Sequence, residues 1–430
     1  MKEYIEDLFK IYNSAIDSYN SKIMQRIIEK YTIIDKSMIA TYIYIKILEN
    51  LNISDNTASD VLKNYLLKQI IYGETGNLAL EISDKTIKKS YYEIVNKLII
   101  EKFEYKNKII SKLKYNYTPI ENNKYTKLIE FCEEVSEYSI LEKIIAQGNI
   151  EAKKYLEESQ KRLSKIKAEL NASDLVEKEE ILIITKIQND EFINTNYNEL
   201  IQIALNLKDV YRYSTLTTII PENVLFHQYT ITITSIIFAE YLNKEMNENI
   251  DIHKIMYKSL FHDFSEYKGN EIVTQVKNYN QDTIKLFAEL EENDEKELKS
   301  KVGEEIYHII KNAKKEKEGY IYDIIDKILG IAKLWIEIGY MHNYTYIKSI
   351  CSIYQSRFKR FRNKDNKYQI DEIKNKEFLL EFLRESYIYI KEHMVNQDSI
   401  MILQYFTQED VDAMKREIKE IKENPEAFLA

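Results

Sequence analysis

A chain of 430 residues exceeds one ordinary core, and its length predicts two or three domains. Only 8 Gly and 3 Pro leave little to punctuate hairpins, sandwiches or Rossmann turns, so the composition predicts an all-α protein. A net charge of −9 argues against a stable nucleic-acid partner, because surfaces that track phosphates carry a basic surplus.

The first residues, MKEYIEDLFKIYNS, contain no apolar stretch of signal-peptide length, and no run reaches the roughly 18 apolar residues of a membrane span. Cys132 and Cys351 are far apart and lack metal-ligand spacing, which suits a reducing compartment. The expectation is a cytoplasmic protein with no membrane partner. The 35 tyrosines follow an Ile-, Lys- and Asn-rich composition and receive no role as a class.

Along the chain, apolar residues recur at helical spacing, as in Ile201, Ala204, Leu205 and Leu207, or Ile324, Ile325, Ile328 and Leu329. The stretch Ala172-Ser-Asp-Leu-Val-Glu predicts a capped helix start inside a soft boundary near residues 165–195. The two sides of that boundary resemble each other. LFKIYNSAIDSYN from Leu8 matches LIQIALNLKDVYRY from Leu200; the 34-residue stretch from Lys36 matches the stretch from His227 in apolar pattern; and DKTIK at Asp84 matches QDTIK at Gln281. The offset stays between roughly 190 and 197 residues, which predicts two copies of one helical domain. The expected units are 1–175, 190–400 and a charged helical extension over 401–430 with a Thr cap.

In the second copy, His227, the adjacent pair His262-Asp263, and Asp326 follow one another with gaps of tens of residues. Around them run Tyr211-Arg212-Tyr213, then Pro221-Glu-Asn-Val-Leu-Phe-His227-Gln, then His262-Asp-Phe-Ser-Glu266, then Asn270-Glu271-Ile-Val-Thr-Gln-Val-Lys277. Over about residues 198 to 345 this resembles, element by element, the 5′-deoxynucleotidases of the HD superfamily. Their pattern is an Arg and an aromatic, E-N-V-x-x-H-S, H-D-x-x-E, G-D-[IL]-x-x-x-V-K, and a lone Asp. Four positions depart from it. Gln228 stands for Ser, Asn270-Glu271 for Gly-Asp, and Tyr213 for Trp.

The resemblance implies that His227, His262, Asp263 and Asp326 bind one divalent ion, Co, Mn, Fe, Ni, Zn or Mg, since imidazole and carboxylate suit such metals. It makes Glu266 the acid/base carboxylate and Arg212 the substrate arginine, with Tyr213 against the sugar and Glu271 and Lys277 completing the substrate pocket. On a continuous helix His262 and Asp263 reach one ion only across the groove between them. The implied activity is phosphate release from a deoxynucleoside 5′-monophosphate. A phosphodiesterase acting on a cyclic or oligonucleotide signal, and a non-catalytic nucleotide-binding or interaction protein, remain as alternatives.

In the first copy Lys36 falls on the place of His227, Lys68-Gln69 on His262-Asp263, and Glu133 or Glu134 on Asp326. A lysine ammonium has no lone pair, so this copy is expected to bind no catalytic metal. Members of the resembled family pair as homodimers, which implies a pseudo-dimer within this chain and leaves room for a further homodimer. Elsewhere, the run from Arg357 to Lys364 reads as a solvated helix end, and His253, His308, His342 and His393 read as structural or surface residues.

Overall fold

The computed structural model describes residues 1–20, 31–50, 52–53, 55–72, 101, 111, 123–172, 196–212, 218, 220–268, 280–337, 374–395 and 407–424. Over these the protein is all-α, as the scarcity of Gly and Pro predicts, and the one exception is a ladder of two-residue strands.

The elements of the N-terminal half are α1 (Lys2–Asn20), α2 (Ile33–Asn50), α3 (Asn56–Tyr72), α4 (Lys124–Ala146) and, after a 3-10 turn, α5 (Lys153–Ala172). The C-terminal half runs α6 (Asn196–Asp209), β1 (Tyr211–Arg212), β2 (Glu222–Asn223), α7 (Val224–Met246), α8 (Ile252–Phe261), α9 (Gln281–Val302), α10 (Glu304–Lys311) and α11 (Glu316–Trp335). Helices α12 (Lys376–Val395) and α13 (Gln408–Glu423) follow. The last begins one residue after Thr407 and docks Ile418 and Ile421 into the core.

Helix α7 is the structural axis. Every residue from Val224 to Ala239 is buried, which is why this segment lacks a polar face, as expected for a helix surrounded by others. Helix α2 packs against it and is nearly as buried, from Ile34 through Met38, Tyr42 and Ile43 to Leu48. Both starts are locked by side chains. Asn223 accepts the Phe226 amide at 2.8 Å, while Asp35 accepts the Thr32 amide at 2.8 Å and Thr32 Oγ1 accepts the Asp35 amide at 3.1 Å. Asn223 also donates to Asp35 Oδ1 at 3.1 Å, so the two caps brace each other.

Packing across the halves is reciprocal. Helix α1 lies on α7 while α6 lies on α2, and α3 meets α8. One buried cluster extends from Ile5 to Ile421 through both halves. At about 1.5–3 kcal/mol per fully buried large apolar side chain, residues such as Phe9, Phe226, Phe238 and Phe261 make separation of the halves costly.

Buried tyrosines add directed bonds across the same boundary. Tyr42 donates to Gln228 Oε1 at 2.7 Å and to the Leu260 carbonyl at 3.1 Å, Tyr229 donates to the Leu66 carbonyl at 3.0 Å, and Tyr12 donates to Glu222 Oε2 at 2.7 Å. Reading the tyrosines as compositional drift therefore missed these structural roles. The expected helix start after Ala172, Cys351, His342 and the basic run 357–364 lie outside the described residues.

Candidate metal centre

Helices α7, α8 and α11 converge at one end of the core. The β1–β2 ladder aligns Arg212 with Glu222 and leads into the Asn223 cap, so that His227 emerges one turn into α7. Helix α8, capped by Asp251 on the Lys254 amide, ends at Phe261, with His262 as its C-cap. A 3-10 turn over Phe264–Lys268 follows. Asp326 comes from the middle of α11.

The expectation of a continuous helix through His262-Asp263 is thus corrected. Asp263 lies in the turn between α8 and the 3-10 segment, and the Glu266 amide donates to the Asp263 carbonyl at 3.0 Å. In such a tight turn residues three apart are eclipsed, which keeps Asp263 and Glu266 on one side. No Gly or Pro between Ile252 and Lys268 signals the break.

His227 Nε2 lies 3.1 Å from Asp326 Oδ1 and 3.5 Å from Asp263 Oδ2, and His262 Nε2 lies 3.0 Å from Asp263 Oδ2. One atom from each of His227, His262 and Asp263 falls within 4.8 Å of the others, the one such His/Cys/carboxylate group among the described residues. Separations of this size suit neighbouring ligands about 2.0–2.2 Å from a shared ion.

Hydrogen bonding points the same way. His227 Nε2, His262 Nε2 and Asp326 Oδ1 are buried and make no hydrogen bond. Orphaned polar atoms in a core cost about 1–3 kcal/mol each, and a cation among the His227, His262 and Asp263 ligand atoms, with Asp326 beside His227, would satisfy them. The residues present therefore suit a divalent ion held by two imidazoles and the Asp263 carboxylate, with the Asp326 carboxylate 3.1 Å from His227 as the candidate fourth ligand.

The outer support is as specific. His262 Nδ1 donates to the Ser259 carbonyl at 2.7 Å, which leaves the Nε2 lone pair facing the cluster. His227 Nδ1 faces Glu222 Oε1 at 3.3 Å and lies against Arg212 Nη1, which itself donates to Glu222 Oε1 at 2.8 Å. Burial alone would raise the Glu222 carboxyl, but the bond to His227 and the Arg212 charge outweigh it and hold the group well below the usual range. Asp263 and Asp326 follow the same pattern, with burial opposed by the imidazoles of His262 and His227, and both are held below ordinary carboxylates.

Of the site residues expected from the sequence, the structure brings together His227, His262, Asp263 and Asp326, with Arg212 Nη2 4.0 Å from Asp326 Oδ1. Glu266 is partly exposed on the adjoining 3-10 turn. Tyr213, Glu271 and Lys277 lie outside the described residues. Sequence reasoning missed Glu222 as the partner of Arg212 and His227, although its place in Pro-Glu-Asn-Val was the available signal. Gln228, flagged as a departure, is the acceptor for Tyr42 of the N-terminal half.

Comparison with known proteins adds three findings. The family described as 5′-deoxynucleotidase YfbR-like matches residues 199–377, the part of the chain that carries the cluster. A 5′-deoxynucleotidase of Vibrio vulnificus is 25% identical over 138 residues, 31% of this chain and 71% of its own. One of Vibrio parahaemolyticus is 24% identical over 138 residues, again 31% of this chain and 71% of its own. No solved structure matches. No helix among the described residues is long and apolar enough to cross a membrane.

Proposed function

We propose that the chain is a divalent-metal phosphohydrolase that releases phosphate from deoxynucleoside 5′-monophosphates. The observation that carries this reading is the convergence of His227, His262, Asp263 and Asp326, with three buried atoms lacking hydrogen bonds, inside the segment that resembles known 5′-deoxynucleotidases.

When bound by these four residues, a divalent ion would lower the pKa of a water and neutralise charge on the phosphoryl group. Glu266, one tight turn beyond Asp263, takes the proton from the attacking water and returns it to the leaving nucleoside oxygen. Arg212 presents its guanidinium beside Asp326, where its fork pairs with phosphate oxygens while Glu222 holds it from behind. Tyr213, Glu271 and Lys277 are assigned to the sugar and phosphate by resemblance alone.

The same proposal includes two tandem units, 1–175 and 190–400, with 401–430 as an added helix. The reciprocal packing of α1 on α7 and α6 on α2 supports it, being the pattern of an isologous pair. In the first unit Lys36 lies 3.0 Å from Glu133, so an ammonium occupies the place of the ion. The protein is proposed to act in the cytoplasm on a small nucleotide.

The test is a phosphate-release screen of deoxynucleoside and ribonucleoside monophosphates, together with cyclic dinucleotides, across several divalent ions. Release from deoxynucleoside monophosphates supports the proposal. Cleavage of cyclic dinucleotides alone would replace it with a phosphodiesterase.

A further inference from the structure

The N-terminal half reaches the segments that carry the donor cluster through side chains. Tyr12 of α1 donates to Glu222 Oε2, Asp35 of α2 accepts from the cap residue Asn223, and Tyr42 of α2 donates both to Gln228, next to His227, and to the Leu260 carbonyl, two residues before His262. The first of these touches the carboxylate that orients a proposed ligand.

Glu222 is 2% exposed and its two oxygens are divided between the halves. Oε1 faces Arg212 Nη1 and His227 Nδ1, while Oε2 accepts the Tyr12 hydroxyl at 2.7 Å. A carboxylate fixed at one oxygen can pivot about its side-chain torsions; fixed at both, it cannot. The Tyr12 ring is itself immobilised, 1% exposed and packed on Phe226 at 6.2 Å between centroids. Loss of an outer partner that orients a ligand imidazole typically weakens metal binding about 10–100-fold.

We propose that Tyr12 is a positioning residue for the metal centre, so that the N-terminal half completes the support of a site whose ligands all lie in the C-terminal half. Tyr12 orients Glu222, and Glu222 orients His227. This rests on the metal reading above.

The test titrates metal-free full-length protein with Co²⁺, following affinity and the visible d–d bands that report ligand geometry. Tyr12→Phe removes the hydroxyl and keeps the ring. Its Co²⁺ affinity is expected to fall about tenfold, with altered bands and unchanged stoichiometry. Tyr44→Phe is the control: the Tyr44 hydroxyl donates to the Ala58 carbonyl at 3.1 Å within the N-terminal half, and its loss should leave affinity and bands as in wild type.

Affinity of Tyr12→Phe within twofold of wild type overturns the inference and leaves the metal reading intact; equal weakening in both variants overturns it as mere loosening. Wild type that binds Co²⁺ no better than Asp263→Ala overturns both. Should Tyr12→Phe fail to fold, 3-fluorotyrosine at position 12 in the otherwise native chain gives a second readout. Its fluorine resonance is expected to shift on loading with Zn²⁺ while that of a label at Tyr44 stays put, and an unmoved Tyr12 signal overturns the role.

Discussion

The Lys36 ammonium lies 3.0 Å from the Glu133 carboxylate; the sequence matches between the halves set Lys36 against His227 and Glu133 or Glu134 against Asp326. Glu137 adds a second carboxylate at 3.3 Å, and Arg162 closes the group through Glu137 at 2.6 Å. Burial would lower the Lys36 pKa, but Glu133 and Glu137 outweigh it and raise it, so the charge is retained. The ammonium is thereby held among carboxylates of α4, which its charge offsets.

Lys36→Met should therefore be costly for stability. Removing one partner of a buried ionic group leaves the others uncompensated, at about 3–5 kcal/mol when fully buried. With Glu133 still 31% exposed, a loss of about 2–4 kcal/mol in unfolding free energy is expected from urea denaturation. A loss below about 1 kcal/mol contradicts the network's importance.

Gly319 lets the start of α11 approach the preceding turn. A Cβ there would stand 2.4 Å from the Ala313 carbonyl oxygen, which is backbone and cannot rotate away. That turn is also clasped by Lys258 of α8, which donates to the carbonyls of Asn312 at 2.7 Å and Lys315 at 2.8 Å. Gly319→Ala is expected to cost about 1–3 kcal/mol and to lower the melting temperature, measured by calorimetry. A neutral or stabilising effect would contradict the close approach.

Burial would lower the His262 pKa, but the charge of the adjacent Asp263, with Asp326 and the Ser259 carbonyl, raises it above its ordinary value near 6.5. In metal-free protein the imidazolium contributes stability that is complete below that ordinary value and is lost as pH rises through the raised one. Metal must displace this proton, so metal-induced stabilisation should grow as pH rises from about 6 to about 8. The shift in melting temperature on adding Mn²⁺ at several pH values checks it; a flat or shrinking shift contradicts it.

The role proposed for Arg212 in gripping phosphate predicts an effect on turnover more than on metal loading. Arg212→Lys keeps a charge but loses the fork shared between Glu222 and the space beside Asp326. The expected result is a fall of about 100-fold in kcat/KM with unchanged metal stoichiometry, the size typical of losing one preorganised donor to a reacting group. Unchanged kinetics would assign Arg212 to the support of Glu222 alone.

Much of this organisation was legible in the sequence because the signals were local. The helical spacing of Ile201, Ala204, Leu205 and Leu207 places them on the buried face of α6, and the His and Asp residues stood in a recognisable order. The break after Phe261 was not legible, since helix ends set by tertiary contacts need no Gly or Pro. Nor were the Tyr12–Glu222 and Tyr42–Gln228 bonds, which join residues 210 and 186 positions apart and leave no pattern in a single sequence. Gln228 is instructive, because what reads as an altered pocket residue is an acceptor facing the other half.

The most direct measurement is metal content coupled to phosphate release, in wild type and Asp263→Ala, with a deoxynucleoside 5′-monophosphate as substrate. The expected result is about one divalent ion per chain with phosphate released by wild type, and loss of both in Asp263→Ala. Stoichiometric metal in wild type without phosphate release from any nucleotide, or equal metal and turnover in Asp263→Ala, would contradict the account.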